Sequence, residues 1–386
     1  MKAYIDLTEF MEIPRRTGIQ RVAGELCRFW PAGHELVPVV LARRGGYAVL
    51  PLSVLHLIRR YFEAHEAAGR AAATAAIRAV NEDAAESGDL LRIEGGVKVL
   101  IPEMFCHPAR LAFFRGLPIP QLRDSFHFIV FDLLPLTHPQ FFPPNFPHEQ
   151  IFAYYRQIGM AKWTGFISSA ARDSFYGRFL RAPGDNGRVF RLGSDGLGTR
   201  RRSAAGRNGQ AQFTAIGTIE PRKNHHLILD AFEPLMQKRP DVRLVFAGAL
   251  GWVNRSYSER MFSLAVKSRQ FSLVLDAGDS TLAELAADSV ATIYLSEAEG
   301  FGLPPVESLW LGTPVIASAG IPSLEKIGNA GVHVVDPLTS LGIRKAAVAF
   351  LDEGYRMRKE YEAEALDLPT WPEFASEVCA WVEESH

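Results

Sequence analysis

The sequence predicts an α/β protein with parallel sheets divided between two domains. Short β-branched and aromatic runs alternate with helix-length segments, as in parallel α/β layers rather than sandwiches or bundles. A chain of 386 residues also exceeds the size at which one hydrophobic core usually keeps growing. Finally, the stretch from Gly196 to Gly209 is polar, basic and Gly-rich, and reads as a linker.

In the first half, Ala3 to Leu7, Glu35 to Leu41, Val97 to Ile101, Phe126 to Phe131 and Gly165 to Ser168 read as strands with helices between them. Residues 53–87 are Ala- and Arg-rich with apolar positions at helical spacing, which predicts a helical insertion. It suits a solvated face packed on the sheet better than a membrane or acceptor contact. After the linker, Gln212 to Gly217, Val242 to Ala247, Ser272 to Leu275, Ala291 to Leu295 and Val315 to Ala317 read as a second sheet, and Trp371 to Glu383 as a closing helix.

Composition narrows the function. A formal net charge of −1 and a pI near 6.8 argue against nucleic-acid binding. Cys27, Cys106 and Cys379 are far apart and lack metal-ligand spacing, so they read as reduced core thiols. The N-terminus runs directly into an apparent strand, and no apolar run approaches membrane-spanning length. These features predict a cytoplasmic protein without signal peptide or spanning helix. Phosphate-loop, nucleophile-elbow, His-Glu-x-x-His and Asp-x-Asp patterns are all missing from the sequence.

Two segments carry chemistry. Between Ser296 and Glu307, an apparent strand end leads through Gly300 and Gly302 into a helix begun by Pro304 and Pro305. Free amides at that helix start favour an anion such as a diphosphate. Glu299 is set to accept hydrogen bonds from sugar hydroxyls, and Glu307, a turn into the helix, to reach a ribose. Singly, either carboxylate reads as well as a solvated loop charge or a partner of the helix dipole. The second segment, Gly217 to Asn224, sets Arg222 and Lys223 before the helix starting at His225, where cations stabilise charge on a leaving diphosphate. The adjacent His225 and His226 point to different helix faces and read as packing or capping residues.

Glu299-Gly300-Phe301-Gly302-Leu303-Pro304-Pro305-Val306-Glu307 resembles the E-x7-E motif of retaining glycosyltransferases of family 4, which have the GT-B fold. Gly217-Thr218-Ile219-Glu220-Pro221-Arg222-Lys223-Asn224 resembles that family's donor-phosphate segment, and Gly312 to Ala317 the strand after its helix. Thr17-Gly18-Ile19-Gln20-Arg21-Val22 resembles a segment of bacterial polysaccharide mannosyltransferases and their relatives.

The resemblance implies GT-B, with two Rossmann-like domains facing across a cleft. Residues 1–198 would bind acceptor, 199–211 link, 212–365 bind nucleotide sugar, and 366–386 pack back on the first domain as a helix. It implies a metal-independent retaining hexosyltransferase without cofactor. Its donor is a nucleotide sugar, GDP-mannose first, and its acceptor a growing, lipid-linked bacterial surface glycan, with nucleic acid excluded and peripheral contact at the inner membrane face admitted. Lys223 and Arg222 would hold the leaving diphosphate; Glu299 and the amides of Gly300, Phe301, Gly302 and Leu303 the sugar; Glu307 the ribose; Gly217 and Thr218 the phosphates; Leu275 and Asp276 the base. Gly18 and Arg21 would form a phosphate and acceptor loop, and Asp132 would orient the attacking hydroxyl. Thr218 stands where relatives often carry arginine, and Phe131 where they often carry histidine. A GT-B epimerase or phosphorylase, or a non-catalytic sugar-nucleotide-binding scaffold, is the alternative.

Overall fold

The computed structural model describes residues 1–43, 45–64, 67–179, 187–199 and 209–384. Most of the expected linker, residues 200–208 with Arg200 to Arg202, lies outside the described residues.

The chain forms two compact units. The first takes Met1–Pro139, Pro144–Gly193 and Pro369–His386; the second takes Gln140–Pro143 and Ser194–Leu368. Side chains explain why these limits depart from the sequence boundaries. Trp310 Nε1 donates to Gly198 O at 2.7 Å, tying that stretch to the second unit. Trp252 Nε1 donates to Phe141 O at 2.5 Å and its ring stacks on Phe142, which captures a short piece of the first half.

The first unit has a sheet of order β4-β3-β2-β1-β5-β6-β7-β8. Its strands are β1 (Lys2–Asp6), β2 (Glu35–Leu41), β3 (Tyr47–Val49), β4 (Leu90–Leu91), β5 (Val99–Ile101), β6 (Phe126–Val130), β7 (Trp163–Phe166) and β8 (Arg188–Val189). All pairings are parallel except those of β3 with β2 and β4. Residues 53–87 form two helices, Ser53–Glu63 and Ala67–Ser87. The first buries Val54, Ile58 and Tyr61, and Arg16 Nη2 caps its end by donating to Tyr61 O, Phe62 O and Ala64 O. The helix Trp371–Glu383 opens with a capping box between Thr370 and Glu373. Its Trp381 packs edge-on against His127, which is fully buried against Trp163. Burial, with Lys98 nearby, lowers the His127 pKa to about 3, so its ring is a neutral core group.

Strand order reverses between β1 and β5, and a charged network fills that switch point. Asp6 ends β1, Glu103 follows β5, and Arg110, only 2% exposed, pairs with Asp6 and, at 2.9 Å, with Glu9. Tyr47 donates to the second Asp6 oxygen and Thr8 to the first. Glu103 accepts from the Glu9 and Phe10 amides, and burial pushes its carboxyl well above the usual range.

The second unit has a wholly parallel sheet of order β11-β10-β9-β12-β13-β14. Its strands are β9 (Ala211–Ile216), β10 (Val242–Ala247), β11 (Phe271–Val274), β12 (Ser289–Tyr294), β13 (Val315–Ser318) and β14 (Val332–Val335). Phe213, Phe232, Leu244, Phe246 and Ile293 anchor its core. Order reverses here between β9 and β12, so the loops after these strands emerge side by side at the carboxyl edge, where open α/β sheets bind ligands. No helix among the described residues is long and apolar enough to cross a membrane.

The Arg110 network yields a stability prediction. Arg110→Ala leaves the buried Asp6 and half-buried Glu9 carboxylates without their cation, and should cost about 3–5 kcal/mol in chemical denaturation. A loss below about 1 kcal/mol would show that the network contributes little.

Candidate active site

Two loops of the second unit build the site. After β9 the chain passes Gly217, whose φ of 133° few side chains adopt. A Cβ there would lie 2.8 Å from Lys223 Nζ, so glycine makes room for the ammonium over the backbone. A 3₁₀ turn, Pro221–Lys223, then meets Asn224, left-handed at φ 53°, before the helix His225–Lys238. Asn224 Nδ2 donates to Leu295 O at 3.0 Å and the Glu297 amide to Arg222 O at 2.9 Å. These bonds clip the loop after β9 to the loop after β12.

The second loop turns into the helix Leu303–Trp310 at Gly302, φ 92°, where a Cβ would press on Ile321 at 2.8 Å. Pro304 and Pro305 lie in its first turn. Glu307 is buried on this helix at 5% exposure, beside Ser308, whose hydroxyl meets Thr292 Oγ1 at 2.7 Å.

Glu299 is the centre of a tight charge cluster. Its Oε1 lies 2.5 Å from Arg222 Nη1 and 3.9 Å from Lys223 Nζ, and accepts from the Tyr294 hydroxyl at 2.6 Å. Arg222 reaches back through Nε to Glu220 at 2.7 Å and donates through Nη1 to Ala298 O at 2.7 Å. Lys223 Nζ sits 3.5 Å from the Tyr294 hydroxyl and 4.9 Å from its ring centre, a cation over an aromatic face. Burial raises the Glu299 pKa, but Lys223, Arg222 and the Tyr294 hydrogen bond outweigh it and hold the carboxyl below its ordinary value. Burial lowers the Lys223 pKa, with Arg222 adding to the effect and Glu299 opposing it. Burial and the Glu299 charge push the Tyr294 phenol well up.

Arg222, Lys223, Glu299 and Gly217 thus gather at one switch point, with Gly300 to Leu303 leading from it into the following helix. Thr218 is half-buried between Gly217 and the fully buried Ile219. Leu275 and Asp276 follow β11, the outermost strand, at the same sheet edge; both are exposed and Asp276 is left-handed at φ 54°. The structure does not bring them into the charge cluster. The remaining candidates belong to the first unit. Gly18 begins the helix Gly18–Phe29, capped by Thr17, and Arg21 is half-buried in its first turn. Asp132 follows β6; its Oδ1 accepts from the Leu134 amide at 2.9 Å, as a turn residue does, and its carbonyl accepts from Tyr155. His225 is buried edge-on against Phe246, in keeping with a packing role.

Sequence reasoning assigned no role to Glu220, Asn224 or Tyr294. Glu220 and Asn224 flank the Arg-Lys pair, and their service is structural, steadying Arg222 and the loop junction. Tyr294 reads as an ordinary strand aromatic, and only its hydroxyl, at the strand's carboxyl end, separates it from a core residue.

Residues 199–365 match the family model described as glycosyl transferases group 1. Over 163 residues, 42% of this chain, the sequence is 32% identical to the serotype-specific mannosyltransferase WbdA of Escherichia coli, but this covers 20% of that protein. It is 34% identical over 126 residues to the O-antigen chain mannosyltransferase B of Escherichia coli, 32% of each chain. The chain therefore spans a fifth to a third of these relatives. Across the whole chain, the fold is similar to HepE of Anabaena in complex with UDP, with a TM-score of 0.64 and 14% identity, covering 100% of this chain and 98% of that one. It is also similar to WaaG, a glycosyltransferase involved in lipopolysaccharide biosynthesis, with a TM-score of 0.58 and 15% identity, covering 98% and 99%. The architecture is GT-B, two parallel-sheet α/β domains.

The buried carboxylate of the charge cluster carries a pH prediction. Because Glu299 is held below its ordinary value, its pairing stabilises the fold above the unfolded carboxylate pKa of about 4.3 and is lost as pH falls through the folded value. Tyr294→Phe removes one donor that holds it down. The acid limb of the stability curve should start at higher pH, with about 2 kcal/mol lost near neutrality. Urea denaturation between neutral and acidic pH measures both; superimposable curves would contradict the Tyr294–Glu299 coupling.

Proposed function

We propose that the chain is a retaining glycosyltransferase, moving a sugar from a nucleoside diphosphate to a hydroxyl of a growing bacterial surface glycan. The observation that carries the reading is the Arg222–Glu299–Tyr294–Lys223 cluster, beside the start of the helix Leu303–Trp310. Buried cations next to a glycine turn and a helix start suit a diphosphate, and a carboxylate locked among them suits sugar hydroxyls. GDP-mannose is the favoured donor because the matched relatives are named as mannosyltransferases. HepE, by contrast, is described with UDP and UDP-glucose, so a UDP-sugar is the competing donor.

In this reading the bond from the anomeric carbon to the phosphate oxygen breaks with its electron pair leaving on the diphosphate. Lys223 and Arg222 stabilise that charge without a divalent ion. The acceptor oxygen bonds to the same face through an oxocarbenium-like state, and its proton passes to the departing phosphate oxygen. Glu299 and the amides from Gly300 to Leu303 orient the sugar, and Glu307 holds the ribose. Gly217 and Thr218 border the phosphates, Leu275 and Asp276 the base. Gly18 and Arg21 serve the phosphate and acceptor end, and Asp132 orients the attacking hydroxyl.

A donor panel of GDP-, UDP- and dTDP-sugars, with and without acceptor glycan and chelator, tests the proposal. We expect transfer from GDP-mannose, unaffected by chelator and with the anomeric configuration kept in the product. Inversion, a chelator-sensitive reaction or turnover of no donor would each overturn the corresponding element.

Two variants separate the roles in the same assay. Lys223→Ala should slow transfer about a hundredfold, the loss of one electrostatic donor, while Glu307→Ala should chiefly weaken nucleoside diphosphate binding. Near-normal turnover of the first, or unaltered calorimetric affinity of the second, would refute its assignment.

A further inference from the structure

A cleft of about 490 Å³ opens on the second unit beside the Pro221–Lys223 turn, between the helices His225–Lys238 and Arg255–Lys267. The proposed chemistry makes no use of it. Glu220, His225, His226, Asp230, Tyr257 and Arg260 line it. Its formal charges are already matched: Asp230 pairs with Arg260 at 2.7 Å and Glu220 with Arg222 at 2.7 Å. Burial, with Lys223 and His226 nearby, lowers the His225 pKa to about 3, which leaves that imidazole neutral. The lining therefore offers dipoles and aromatic faces rather than net charge.

Two of those dipoles are unspent. Nδ1 of His225, a residue only 4% exposed, and the hydroxyl of Tyr257 are buried without a hydrogen-bond partner among the described residues. Buried polar atoms of this kind call for a partner, and here both belong to side chains that line an open cleft. The Tyr257 and His226 rings stand 6.5 Å apart at 85°. A neutral ring dense in hydroxyls matches this surface, since its hydroxyls both donate and accept while its C–H faces pack on the aromatics. Because the charges of the wall are already paired it does not single out an anion, and no group of His, Cys, Asp and Glu among the described residues could hold a metal ion. The volume falls within the range of small-molecule sites.

We propose that this cleft is a second carbohydrate site, which takes a neutral sugar unit of a glycan beside the diphosphate-binding turn. The choice of a mannose-type sugar rests on the transferase reading; the existence of the site does not. Because Glu220 belongs both to the cleft wall and to the ion pair with Arg222, a bound sugar lies against the residue that steadies the donor cations.

Saturation-transfer NMR on the full chain with methyl α-D-mannopyranoside tests this, with and without saturating GDP. Binding with a Kd of about 1 mM should persist with GDP present. Tyr257→Phe, which deletes only the hydroxyl, and His226→Ala should each weaken it about fivefold or more, with melting temperature and GDP affinity unchanged. Absence of sugar binding, binding indifferent to both variants, or displacement of the sugar by inorganic phosphate would overturn the proposal. GDP calorimetry on the unaltered protein is read separately: failure there counts against the donor reading and leaves the sugar result standing.

Discussion

The site depends on one guanidinium. Arg222 lies on the loop after β9, and Glu299 on the loop after β12; their 2.5 Å contact joins the two loops where strand order reverses. A planar fork is needed, because Arg222 binds Glu220 through Nε while Nη1 serves Glu299 and Ala298 O. A lysine ammonium could not hold both carboxylates along two edges. The backbone bond from Glu297 to Arg222 and the Asn224 bond to Leu295 fix the junction, so the ion pair meets a frame already set.

Within that frame the charges divide the labour. Two carboxylates, Glu220 and Glu299, face two cations, Arg222 and Lys223, and the unliganded cluster is formally neutral. Arg222 is saturated by its partners, whereas Lys223 makes only a 3.9 Å approach to Glu299 and a 3.5 Å contact with Tyr294. Lys223 is thus the more lightly held of the two cations. Gly217 leaves the space above the backbone into which its ammonium reaches.

Much of this was legible where local chemistry decides structure. The strands Glu35–Leu41 and Val242–Ala247 and the helices His225–Lys238 and Trp371–Glu383 follow from unbroken apolar patterning. The glycines, prolines and charged residues of the two loops marked the site because few backbones need that combination. β3, β4, β8 and β14 were not legible: the first three span two or three residues each, and β5, equally short, was read only within the longer apolar run Val97 to Ile101. Nor was the Arg110 network, whose Asp6 and Glu9 are far in sequence from Glu103 and Arg110 and meet them only through the sheet. The capture of Gln140–Pro143 by the second unit has the same origin, since it rests on Trp252.

The two sheets also differ in how the residues at their switch points are charged. Each has a reversal of strand order, at β1/β5 in the first and β9/β12 in the second, and such points are the usual ligand sites of open α/β sheets. In the first unit Asp6, Glu9 and Glu103 surround Arg110, which is itself buried, so acid outnumbers base within that network. In the second, acid and base balance, Lys223 is lightly held, and the helix Leu303–Trp310 begins beside it. Topology supplies the same opening twice, and the residues at the strand ends give the two switch points different charge.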